Sequence, residues 1–150
     1  MREMDGEIGR HCILDADGCC AETLNDPVRI EAAVRRAVRE ATLESLAVKV
    51  FEPQGVTALA LLAESHLSLH TWPELAYAAI DAFTCGPVDP QDMCECLAEA
   101  LGASRSRVHV IPRGPAEASG ALHLRASAAQ VVVARSPRAG AGGRRGGICG

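Results

Sequence analysis

Apolar and polar residues alternate with a period of two along much of the chain, and two stretches break that rhythm with helical spacing. Residues 8–14 read as a short strand, followed by a polar stretch containing Gly18 and Asn25. Asp26-Pro27 opens a helix, with an acid placed to cap it and proline in its first turn. Val28, Ile30, Val34, Ala37, Val38 and Ala41 recur at helical spacing, with arginines and glutamates between them. Residues 46–51 look like a strand, Glu52-Pro53-Gln54-Gly55 like a turn, and Val56 to about Ala63 like a longer β-rich run. Residues 77–83 fit either period. Their length and the Thr84-Cys85-Gly86 stop favour a strand. Asp89-Pro90 starts a second helix, with Met93, Leu97, Ala100 and Leu101 on its apolar stripe and Gly102 closing it. Residues 107–111 form a last strand.

The resulting order is strand, helix, three strands, helix, strand. Two amphipathic helices of this kind would lie on one face of a largely antiparallel sheet, an α+β fold built as a two-layer α/β sandwich. The domain is expected to end at residue 114. Residues 115–150 turn to alanine, glycine, serine and arginine, with Val131, Val132 and Val133 their only strong apolar cluster, and are expected to be largely disordered.

Composition narrows the function classes. With 150 residues, 48% of them apolar and 23% charged, the chain can bury one real core. A formal net charge of -4 argues against bulk capture of nucleic acid. No apolar run is long enough to span a bilayer, and the first residues lack the apolar stretch of a secretory leader, so a cytoplasmic protein is expected. The seven cysteines read mainly as free thiols serving as small apolar residues. Neither Cys19–Cys20 nor Cys94-x-Cys96 has zinc-knuckle spacing, and no metal site is expected.

The informative stretch is Glu64-Ser65-His66-Leu67-Ser68-Leu69-His70-Thr71-Trp72-Pro73-Glu74. On a strand, Glu64, His66, Ser68 and His70 share one face, and Ser65, Leu67 and Leu69 the other. His66 and His70 would lie about 13 Å apart, too far for one ion to bridge. No Gly-x-Ser-x-Gly elbow surrounds either serine. By spacing alone, an ordinary half-exposed strand and a functional one remain open.

The run ESHLSLHTWPE followed by YAAIDAFTCG resembles the prokaryotic S-adenosylmethionine decarboxylases, which are pyruvoyl-dependent. GRHCILD, FEPQGVTALALLA and RVHVIPRG extend the resemblance over residues 7–114. It implies a proenzyme that cuts itself between Glu64 and Ser65 into a β chain, 1–64, and an α chain from 65. Ser65 then becomes a pyruvoyl group, the covalent cofactor, which binds the substrate amine as a Schiff base and draws electrons as carbon dioxide leaves.

The same resemblance implies roles for further residues. Cys85 would be the proton donor, since a thiol ordinarily stays protonated at neutral pH. His70 would assist processing as an acid/base group, and Thr57, where the family usually has serine, would serve processing too. Phe51 and Trp72, two of only four aromatic residues, would contact the adenine, and Glu74 the ribose. The implied partners are the small-molecule substrate and a second copy in a homodimer with shared active sites. The implied activity supplies decarboxylated S-adenosylmethionine, an aminopropyl donor, for spermidine synthesis. An arginine or ornithine decarboxylase of the same family, or a non-catalytic paralogue, is the alternative.

Overall fold

The structure, a computed structural model, describes residues 7–115 together with the backbone of 130–132. Within them, β1 (Gly9–Asp17) leads to a one-turn helix α1 (Ala21–Leu24) and then α2 (Pro27–Ala37). Four strands follow, β2 (Leu43–Val50), β3 (Val56–Leu62), β4 (Ser65–Trp72) and β5 (Tyr77–Thr84), with a 3₁₀ turn at Pro73–Leu75. Helix α3 (Pro90–Ala100), β6 (Arg105–Arg113) and the short β7 (Gln130–Val132) complete the order. The strands form one sheet, β2-β3-β4-β5-β1-β6-β7, antiparallel at every joint.

The α+β, two-layer expectation agrees with this architecture. The count of strands between the helices is corrected from three to four, because a hairpin at Ala63–Glu64 separates β3 from β4. The polar stretch after β1 also contains the short helix α1, whose four residues are too few to show a period. Of the extension 115–150, only Pro115 and Gln130–Val132 are described, and the latter pairs with β6. The remainder of that expectation lies outside the described residues.

Local chemistry explains the helices. The Asp26 carboxylate accepts from the backbone N–H groups of Val28 and Arg29, at 2.9 and 3.2 Å, and Pro27 occupies the first turn. Ile30, Ala33, Val34 and Ala37 then bury one stripe of α2. Asp89 caps α3 in the same way through the Gln91 N–H at 2.9 Å, and Met93, Cys94, Leu97 and Ala98 face inward. Gly102, at φ +74°, ends that helix in the left-handed conformation that a side chain would resist.

All of this packs on one face of the sheet. Cys12, Leu14 and Ala16 of β1 point into the core, as do Leu67 and Leu69 of β4 and Ile80 of β5. Full burial of a leucine contributes about 1.5–3 kcal/mol. Alanines at 58, 60, 78 and 82 keep the sheet surface low under the helices. The opposite face carries Thr57, Leu59 and Leu61 from β3, His66, Ser68 and His70 from β4, and Asp81 and Phe83 from β5. Leu59 and Leu61 remain 51% and 56% exposed there.

Candidate active site

Register places the chemistry. β4 pairs with β3 so that Leu62 faces Ser65, leaving Ala63 and Glu64 as the two-residue loop. The Glu64–Ser65 peptide therefore sits at the exit of a hairpin. Among the described residues the only non-glycine with positive φ is Ala76, so neither Ala63 nor Glu64 takes the left-handed conformation in this turn. On its other side β4 pairs with β5, starting at His66 opposite Phe83. β5 ends one residue later, at Thr84, and Cys85 follows it directly. Cys85 is exposed at this end, as a free thiol.

Ser65 and Glu64 also line a cavity of about 230 Å³ with Leu62, Thr84, Val88 and Met93. Alternation puts Ser65 on the same side as Leu67 and Leu69, the helix side, so this cavity opens under the sheet rather than over it. A group built from Ser65 would fit there, between a strand end, the polar Thr84 and the apolar Val88 and Met93.

A second cluster occupies the other end of β4. Thr57 Oγ1 and His70 Nδ1 are 2.9 Å apart across the β3–β4 pair. The His70 ring lies 6.4 Å from that of Trp72, which in turn lies 5.4 Å from Tyr77. Glu74, in the 3₁₀ turn, accepts from Gln54 Nε2 at 3.2 Å. Phe51 closes the same turn from the far side, its N–H donating to the Gly55 carbonyl at 2.9 Å, with Lys49 Nζ 5.2 Å from its ring. Gly55 stands at φ +104°, which lets the chain reverse there.

Buried Thr71 anchors this end. Its hydroxyl accepts from the Val56 N–H and lies 2.8 Å from the Leu24 carbonyl, joining β4 to β3 and to the end of α1. The Gly55 N–H donates to Asn25 Oδ1 at 2.9 Å, tying the turn to the same helix end.

The structure thus places Glu64 and Ser65 at the start of β4, with Cys85 just past the end of the neighbouring β5, and separately gathers Thr57, His70, Trp72, Glu74 and Phe51. Within one chain it does not join the two sets. Ser65 and His70 are five residues apart on one strand, roughly 17 Å, and alternate to opposite faces.

Several contacts on the open face were not foreseen from the sequence. Ser68 donates to Asp81 at 3.2 Å, and His11 Nε2 lies 3.7 Å from the same carboxylate. The Tyr77 hydroxyl donates to Asp15 at 2.5 Å. Burial first, then that hydrogen bond, pushes the Tyr77 hydroxyl up to about 12. Burial and the nearby Asp17 push the Cys19 thiol up to about 12 as well. These partners come from β1 and β5, far apart in sequence, so periodicity held no signal for them. The free-thiol reading is corrected at Cys20, which is disulfide-bonded.

The family model described as S-adenosylmethionine decarboxylase matches residues 10–114. An S-adenosylmethionine decarboxylase proenzyme of Prochlorococcus marinus (strain MIT 9313) is 52% identical over 99 residues, 64% of this chain and 79% of that one. One from Carboxydothermus hydrogenoformans is 44% identical over 110 residues, covering 71% and 87%. The crystal structure of the adenosylmethionine decarboxylase from Aquifex aeolicus superposes with a TM-score of 0.64 at 31% identity, over 77% of this chain and 98% of that one. The chain belongs to the S-adenosylmethionine decarboxylase family.

Proposed function

We propose that this chain is a self-processing, pyruvoyl-dependent decarboxylase acting on S-adenosylmethionine in the cytoplasm, and that it works as a homodimer. The observation that carries the reading is the β3–β4 hairpin, whose exit holds Glu64–Ser65 over a cavity lined by Thr84 and Met93, in a chain of this family.

In processing, the Ser65 hydroxyl attacks the Glu64 carbonyl carbon and the peptide C–N bond breaks, its nitrogen taking the proton. Loss of the Ser65 α-proton then expels Glu64 as a carboxylate, and water replaces the former amide nitrogen, which leaves as ammonia. Serine is needed because one oxygen serves as nucleophile and then as leaving group. His70, oriented by Thr57, is the proton carrier suited to these steps. The pyruvoyl group supplies the electron-withdrawing carbonyl that decarboxylation requires. Cys85 holds the proton delivered to the substrate carbon once carbon dioxide has gone. Trp72 and Phe51 offer flat apolar faces for adenine, and Glu74 an acceptor for ribose hydroxyls.

The separation of Ser65 from His70 is the argument for a dimer. A second copy on the open face would cover Leu59 and Leu61. A two-fold axis through that face would set the start of β4 in one chain, next to residue 65, over the Thr57–His70 end of its partner. The basic amino acid alternative would want an acidic, ring-poor pocket, whereas the His70–Trp72–Tyr77 row is aromatic.

Intact mass and carbon dioxide release test the proposal together. The expected result is two chains, 1–64 and 65–150, and release from S-adenosylmethionine but not from arginine or ornithine. An intact chain with Ser65 unconverted, or silence with S-adenosylmethionine, would overturn it.

A further inference from the structure

We propose that the His66–Phe83 ring pair is the clamp that positions residue 65 and Cys85 relative to each other once the Glu64–Ser65 bond is cut; the proposal rests on the self-cleavage reading above. Before the cut, the start of β4 is held covalently by the Ala63–Glu64 loop and by pairing with β3. Cutting removes the loop connection. Conversion of Ser65 also removes its backbone N–H, one of the groups a strand uses to bond to its neighbours. The new chain end must then be held from residue 66 onward.

His66 is where pairing with β5 begins, directly opposite Phe83. Their rings are stacked, with centroids 5.8 Å apart and planes at 29°. Phe83 is itself fixed on three sides. The ring lies so close over Gly9 that a Cβ there would sit 2.6 Å from it. His11 meets its edge at 6.3 Å and 88°, and the Arg113 guanidinium stands 5.9 Å from its centre.

The arrangement therefore links two reacting residues through one contact. His66 is bonded to residue 65, and Phe83 lies two residues before Cys85. No hydrogen bond from a described residue reaches the His66 ring, which points to stacking rather than proton transfer as its use. His66 and Phe83 are positioning residues in this scheme, not catalytic ones.

The test compares wild type with His66→Ala and His66→Phe. Three quantities are read: self-cleavage by intact mass, hydrogen exchange of residues 66–69 in the cleaved protein, and kcat and KM with S-adenosylmethionine. His66→Ala should still be cut, exchange faster at 66–69, and lose about threefold to tenfold in kcat, the size of an aromatic pair, with KM little changed. His66→Phe, which keeps a ring and no titrating nitrogen, should restore both exchange and kcat. If His66→Ala fails to fold, Phe83→Leu against Phe83→Tyr makes the same comparison from the facing strand.

A cleaved His66→Ala protein with wild-type exchange and kcat overturns the clamp alone. So does a His66→Phe protein as impaired as His66→Ala, particularly with an altered pH profile, since that would assign the role to the ring nitrogens. A wild-type chain that remains intact overturns the self-cleavage reading and the clamp with it.

Discussion

Thr57 Oγ1 lies 2.9 Å from His70 Nδ1, across the β3–β4 pair at the end of the sheet remote from Ser65. That hydrogen bond fixes the orientation of the imidazole and leaves its other nitrogen pointing away from the threonine. Removing it with Thr57→Ala is expected to slow self-cleavage by roughly tenfold, the scale of one hydrogen bond to a group that must be oriented. Thr57→Ser should recover most of the rate. A time course of intact mass during folding reads both, and an unimpaired Thr57→Ala chain would remove threonine from the processing machinery.

The distance between Ser65 and His70 leads to a complementation experiment. Ser65→Ala and His70→Ala chains should each be inactive alone. Co-expressed, they form hybrid dimers in which one of the two shared sites has both native residues. Random mixing then restores about a quarter of wild-type activity, by the symmetry of a two-fold dimer. Activity that stays at background in the mixture, with hybrids demonstrated by mass, would mean that each site is built within one chain.

Gly9 sets a stability prediction. A Cβ at this position would lie 2.6 Å from the Phe83 ring and 2.9 Å from the Thr84 carbonyl oxygen, and the second of these is backbone that cannot turn aside. Gly9→Ala should therefore destabilise the fold by about 1–3 kcal/mol, the usual cost of overpacking. Denaturant unfolding measures this directly. A shift under half that size would show that the strand end relaxes freely.

Tyr77 and Cys19 predict how stability responds to alkali. Both acids have folded values raised to about 12, from 10.0 for the phenol and 9.0 for the thiol. Between those limits the unfolded chain has released these protons while the folded chain still holds them. Unfolding is then favoured progressively, so stability falls as pH rises from about 9 towards 12. Tyr77→Phe should flatten the upper part of this decline. Urea midpoints measured across the range would expose a mistaken assignment if the variant and wild type fall in parallel.

Much of this protein is legible in the sequence because much of it is local. Helix α2 announces itself through Asp26, Pro27 and the spacing of Ile30 and Val34, all within a few residues of one another. The alternation from Ser65 to His70 correctly separates the two faces of β4, since side chains on a strand must alternate. Resemblance of ESHLSLHTWPE and FTCG to a known family then singled out Ser65 and Cys85, which no periodicity distinguishes from Ser68 or Cys94. Pairing is another matter. That Thr57 meets His70, that Gln54 reaches Glu74, and that Phe83 stacks on His66 depends on which strands are neighbours and in what register. Those choices are settled by burying one face of the whole sheet under its helices. Sequence alone thus identified the two longer helices, the strand faces and, through resemblance, the residue proposed for conversion. Tertiary structure decided that its partners fall at two ends of one sheet, because register is a property of strands together and of none alone.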